Sequence, residues 1–186
     1  AANLKGASIF MGGRHGSTVT GTANAIMAAS LSQGTTVLDG AACEPEIVDL
    51  CEMLTKMGAI IQGMGSHRLE IQGVSKLHGC HHRVIPDRIE TATYAIAAGI
   101  TNGEICIQGC QPKHLGAFAN VMQECGMEME SSPDGNLSIK VSSGGLKPFE
   151  VITLPYPGFP TDLQAQTTAL ACVVPGLSIL TERVYP

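Results

Sequence analysis

Apolar and polar residues alternate in four short stretches: "AIIQG" at 59–63, "RLEIQG" at 68–73, "MEMES" at 127–131 and "LSIKV" at 137–141. A period of two is the pattern of a strand with one buried face. The last two stretches are joined through "PDGN", a hairpin-type turn. Between the alternating stretches the grammar changes. "AIMAASLSQGTTVLDGA", "YAIAAGITNGEICIQGC" and "TALACVVPGLSILTERV" each read as a small-residue helix, a glycine stop and a strand. Their glycines, Gly34, Gly103 and Gly176, fall 69 and then 73 residues apart. In the first two cases a second helix follows, "EPEIVDLCEMLTKMG" and "KHLGAFANVMQECGM", ended by Gly58 and Gly126.

The predicted unit is therefore strand, helix, strand, helix, strand, strand (βαβαββ), present twice and begun a third time. The expected class is α/β (α+β), with about two and a half units. Each complete unit is large enough for its own sheet-and-helix layer. The first helices are rich in Ala, Gly and Ser nearly all round, which predicts helices buried among neighbours. The chain starts without Met and stops inside the third unit, so a piece of a longer protein is expected. The half-unit would leave sheet edges and helix faces unpartnered, which dimerisation or domain swapping of the piece would cover.

Composition narrows the function. The 186 residues carry a net charge of −5 and no basic run, which argues against a nucleic-acid partner. No apolar run reaches membrane-spanning length, and no charged-then-apolar leader opens the chain. There is no Trp, so the core must be built from Ile, Val, Leu, Met and Ala. The seven cysteines are odd in number and mostly lie inside apolar runs, which predicts buried reduced thiols rather than a disulfide framework.

The least ordinary residues fall in equivalent places. Asp162 opens the helical run of the third unit in "PYPGFPTDLQAQ". One repeat earlier lie Asp87 and Arg88 in "VIPDRIET"; one earlier still lies "GSTVTGTAN". All three are entrances to first helices, where free backbone N–H groups and the positive dipole end favour an anionic guest such as phosphate or diphosphate. The plain alternative for Asp87 and Asp162 is helix capping. "HGCHH" at 78–82 supplies metal-ligand residue types, but a second ligand group is missing and successive strand residues face opposite ways. A solvated or partly packed strand is expected there, and no metal.

Together, "AACEPEIVDLCEMLTKMGA", "VIPDRIETATYAIAAG" and "PGFPTDLQAQ" resemble the UDP-N-acetylglucosamine enolpyruvyl transferases (1-carboxyvinyltransferases). The resemblance covers essentially the whole chain and keeps motif order and spacing. It implies an inside-out barrel fold of two domains, each built from three βαβαββ units. Residues 1–85 would be the last unit of one domain, and 86–186 the first one and a half units of the second. It implies a cytoplasmic transferase that moves the enolpyruvyl group of phosphoenolpyruvate onto the 3-hydroxyl of UDP-N-acetylglucosamine, releasing phosphate and opening peptidoglycan synthesis. No metal or organic cofactor is implied.

By motif match, Asp162 is the expected catalytic base and also holds the sugar. Val184 would touch the nucleotide-sugar, and Thr18, Val19, Thr20 and Gly21 would bind its diphosphate and uridine end. Glu44, Asp87 and Arg88 would support the cleft, with Arg88 pairing with carboxylates. Several features depart from the family pattern. The reactive-cysteine loop and the basic groups that grip phosphoenolpyruvate would lie upstream, and none of the cysteines here, Cys43 included, replaces that cysteine. Val19 stands where a serine is common, and Tyr156 where some relatives carry histidine. The isolated chain is therefore expected to have no turnover. Two other functions are compatible with these motifs: a non-catalytic nucleotide-sugar-binding regulator of the same fold, and the sister enzyme acting on shikimate phosphate.

Overall fold

The computed structural model describes residues 3–185. Its contacts divide the chain into two compact units, Ala1–Ile85 and Pro86–Pro186.

In the first unit, β1 (Ser8–Phe10) is followed by a small hairpin, β2 (Gly12–Gly13) with β3 (Gly16–Ser17), and then α1 (Val19–Ala29). Next come β4 (Thr35–Asp39), α2 (Pro45–Lys56), β5 (Ile60–Gln62) and β6 (Arg68–Gln72). The sheet order is β1-β4-β6-β5, with β1 and β4 parallel and the remaining pairs antiparallel. Thr36, Leu38, Ile61, Leu69 and Ile71 form its buried face. The helices cover that face, placing Ile26, Ile47, Cys51 and Leu54 in one apolar cluster with it. On the opposite face Arg68 and Asp39, cross-strand partners, form an exposed ion pair of 2.6 Å.

The second unit contains α3 (Arg88–Ile100), β7 (Glu104–Ile107), α4 (Gly116–Glu124), β8 (Met127–Ser131) and β9 (Leu137–Val141). It continues with β10 (Glu150–Ile152), a 3-10 turn (Thr161–Leu163), α5 (Gln164–Ala171) and β11 (Ile179–Thr181). The β7-β9-β8 sheet is antiparallel throughout, while β10 and β11 pair in parallel as a separate two-stranded sheet. The "PDGN" hairpin closes with Gly135 N–H donating to the Ser132 carbonyl and Ser132 N–H to the Asn136 carbonyl. Phe118, Met122, Ile139, Leu163 and Leu170 are fully buried at the centre of this unit.

Three details depart from expectation. No strand precedes α3: residues 73–87 are irregular, and "HGCHH" lies along α2 instead of joining a sheet. His78 N–H donates to the Met57 carbonyl. His82 Nε2 meets Asp49 Oδ1 at 2.9 Å, and its Nδ1 meets Lys56 Nζ at 3.0 Å. With the lysine donating to Nδ1, the imidazole donates through Nε2 to the carboxylate, so the segment is tied to α2 by polar side chains.

Second, of the five glycines expected to end helices, Gly58 and Gly126 directly follow a helix cap, with φ of 101° and 96°. After α3 the left-handed residue is Asn102, at φ 49°, not Gly103. A short polar side chain can hold that conformation by local bonding. Third, the first helices are not enclosed on all sides. Met27, Tyr94 and Val173, in or just past them, are about half-exposed. Among the described residues no helix is long and apolar enough to cross a membrane.

Candidate active site

The acids at the entrances of α3 and α5 behave differently. Asp87 is a true cap: its Oδ1 accepts from Ile89 N–H at 2.7 Å and Glu90 N–H at 3.1 Å. Asp162 lies in the 3-10 turn that leads into α5, is exposed, and no side-chain cap bond closes that turn or the helix behind it. Its neighbours are fixed. Leu163 is buried in the core of the unit, and the Thr161 hydroxyl donates to Glu182 Oε2 at 2.9 Å. Phe159, also buried, meets Phe118 with ring centroids 6.1 Å apart. The carboxylate of Asp162 is thus presented to solvent from a loop anchored on both sides.

The two entrances are neighbours. Helix α3 packs against α5 and against the 3-10 turn. Gln166 Nε2 donates to Thr93 Oγ1 at 3.0 Å across 73 residues, the same offset that separates the repeats. Arg88 places its guanidinium 5.7 Å from the centroid of the Tyr156 ring, so the tyrosine stacks with a cation.

Beside this lies a group that the sequence reading missed. Glu182, just after β11, accepts on Oε1 from Thr153 Oγ1–H (2.7 Å), Val184 N–H (2.6 Å) and Tyr185 N–H (2.9 Å). Burial alone would raise its pKa, but these bonds and the one from Thr161 outweigh it and hold the group down at about 2. Its threonine partners are 29 and 21 residues away in sequence, so only a structure brings them together. Val184 is half-buried, and its amide is held by the same carboxylate.

The first unit holds the other candidates. Thr18 is the N-cap of α1, its Oγ1 accepting from Gly21 N–H at 3.2 Å. A Cβ on Gly21 would lie 2.5 Å from Thr18 Cγ2, so glycine permits the cap. Val19 packs against the apolar cluster, and Thr20 is exposed at the first turn. The 18–21 segment is therefore a cap and first helical turn, offering backbone N–H groups rather than a side-chain hydroxyl at Val19.

Glu44 is the N-cap residue of α2 but makes no side-chain cap bond. It is only 6% exposed, and its Oε2 is buried without a hydrogen-bond partner. Its neighbour Cys43 has a thiol pushed up by burial and then by the Glu44 charge, the opposite of an activated nucleophile. The expectation of buried reduced thiols is corrected in part: all seven are free, but Cys106 and Cys172 are exposed, Cys43 and Cys80 are half-buried, and Cys51, Cys110 and Cys125 are buried. Among the described residues no group of three or more His, Cys, Asp or Glu is arranged to hold a metal.

The family model for EPSP synthase (3-phosphoshikimate 1-carboxyvinyltransferase) matches residues 2–185. The chain belongs to that family. Within the EPSP synthase family it is 47% identical over 184 residues to the UDP-N-acetylglucosamine 1-carboxyvinyltransferase of Methylacidiphilum infernorum, covering 98% of this chain and 43% of the relative. It is 47% identical over 185 residues to the protein of the same name from Acidobacterium capsulatum, covering 100% of this chain and 42% of the relative. The chain thus spans less than half the length of these curated relatives. In fold it is similar to the enolpyruvyl transferase NikO from Streptomyces tendae, with a TM-score of 0.86 at 21% identity over 100% of this chain and 46% of that one. EPSP synthase from Acinetobacter baumannii gives 0.59 at 17% identity, over 96% of this chain and 41% of that one.

Proposed function

We propose that this chain is part of an enolpyruvyl transferase that joins the enolpyruvyl group of phosphoenolpyruvate to the 3-hydroxyl of UDP-N-acetylglucosamine. Residues 1–85 form the last βαβαββ unit of one domain, and 86–186 the first one and a half units of the other. The parent enzyme acts in the cytoplasm, where its product enters peptidoglycan synthesis. Relatives named for this acceptor, at 47% identity, support the substrate assignment.

The observation that carries the catalytic reading is the contrast between the two entrance acids. Asp87 uses its carboxylate on two backbone amides, whereas Asp162 is exposed and caps nothing. In the reaction Asp162 accepts the proton of the sugar 3-hydroxyl as that oxygen bonds to C2 of phosphoenolpyruvate, while C3 gains a proton. Loss of a C3 proton then expels phosphate and restores the double bond. A carboxylate does this well only when its position is fixed, because orientation supplies much of the barrier reduction. Thr161 and Leu163 supply that fixing. The cap of α1, with Thr18, Val19, Thr20 and Gly21, and the Val184 backbone hold the nucleotide-sugar. Glu44, Asp87 and Arg88 organise the cleft.

Acceptor choice tests this function. The full-length protein, given phosphoenolpyruvate, should release phosphate with UDP-N-acetylglucosamine and not with shikimate 3-phosphate. The reverse preference would assign it to the sister enzyme, and no release with either would remove the enzymatic reading. The 186-residue chain assayed by itself should release none.

A further inference from the structure

Glu182 joins the two parts of the candidate site that belong to the second unit. Its Oε2 is bound to the residue before Asp162, and its Oε1 to the amides of Val184 and Tyr185. The remaining donor, Thr153, is completely buried just after β10, and its Oγ1 also accepts from Arg183 N–H at 2.9 Å. Four donors thus converge on one carboxylate. A carboxylate is suited to this place because it is acceptor-only: an amide could not accept on both sides.

We propose that Glu182 is a positioning residue. Through the Thr161 hydroxyl it sets where the Asp162 carboxylate stands, and through the following amides it sets the course of the backbone at Val184. The inference rests on Asp162 being the base.

Glu182 is not itself a proton acceptor in the reaction. Its oxygens are occupied by donors, and those donors keep it ionised far below neutral pH. Asp162 is the opposite case, exposed and without a cap bond. The two acids therefore divide the work, one presenting a free carboxylate and the other holding the loop that carries it. Besides the Thr161 bond, the loop is held by buried Phe159 and by buried Leu163. Breaking the bond leaves the fold anchored but releases the peptide beside the base. A displacement of about 1 Å at a reacting group can cost on the order of a hundredfold in rate, so a single released tether should cost roughly tenfold or more.

The test uses the full-length enzyme with phosphoenolpyruvate and UDP-N-acetylglucosamine, and reads kcat and KM separately. Thr161→Val removes one donor, and Thr161→Ser keeps it. Thr161→Val should lower kcat about tenfold or more with a smaller change in the KM for phosphoenolpyruvate, and Thr161→Ser should recover most of the loss. In an Asp162→Asn background, Thr161→Val should lower kcat little further, because its effect acts through the base. Glu182→Ala should lower kcat and also raise the KM for the nucleotide-sugar.

If Thr161→Val stays within about twofold of the parent while Asp162→Asn is crippled, the positioning role is wrong and the base stands. Equal losses from Thr161→Val in both backgrounds would also overturn it, as a structural effect. Full turnover by Asp162→Asn would remove the base, and the positioning role with it. Should Glu182→Ala fail to fold, the threonine series decides alone.

Discussion

Converting Glu182 to Gln should weaken the fold in a way that depends on pH. Its ordinary pKa of 4.5 is lowered to about 2 in the folded chain. A depressed folded pKa means that the stabilisation is fully present above the unfolded value and is lost as pH falls through the folded one. The window is therefore roughly pH 4.5 to 2. Without screening the gap corresponds to an upper limit of about 3 kcal/mol. Glu182 is only half-buried, so solvent reduces this to about 1–2 kcal/mol. Urea unfolding of parent and Glu182→Gln, each at pH 6, 4 and 3, isolates the term because other carboxylates titrate alike in both. The difference should be largest at pH 6 and shrink by about half by pH 3. A difference that is constant with pH, or absent at pH 6, would refute the hydrogen-bonded hub as the cause.

Other substitutions address other links in the structure. Glu44→Gln should stabilise the protein by about 1 kcal/mol in urea unfolding, because it removes a charge whose Oε2 is buried without a partner; destabilisation would show that the carboxylate supports the fold. His82→Ala should cost about 3 kcal/mol, since it strands Asp49, whose side chain is 10% exposed. Adding Asp49→Leu should recover part of that loss. Phe118→Ala, at a fully buried ring that also backs Phe159, should cost about 3–5 kcal/mol by thermal or urea unfolding.

The sequence made the repeat visible because hydrophobic period and glycine punctuation are local signals. The alternating strands at 60–62, 68–72, 127–131 and 137–141 are present, and the repeat offset reappears as a hydrogen bond between Gln166 and Thr93. What it hid were features decided by tertiary partners. "HGCHH" carries strand-like spacing, but Asp49 and Lys56 on α2 offered the His82 imidazole better company than a sheet edge did. The capping alternative applied equally to Asp87 and Asp162 on local grounds, and only backbone geometry at each entrance separates them. Glu182 sits in "TERV", with no local pattern to announce that two distant threonines and two amides meet there. Cys106 and Cys172 follow apolar neighbours in sequence yet face solvent, because alternation and helix phase set their direction.

The most direct measurement is the turnover number of full-length Asp162→Asn at saturating phosphoenolpyruvate and UDP-N-acetylglucosamine. Asparagine keeps the size of the side chain but cannot accept the hydroxyl proton, so kcat should fall by about two orders of magnitude or more while the protein remains folded. A kcat within about threefold of the parent would contradict the account and leave Asp162 as an ordinary surface acid.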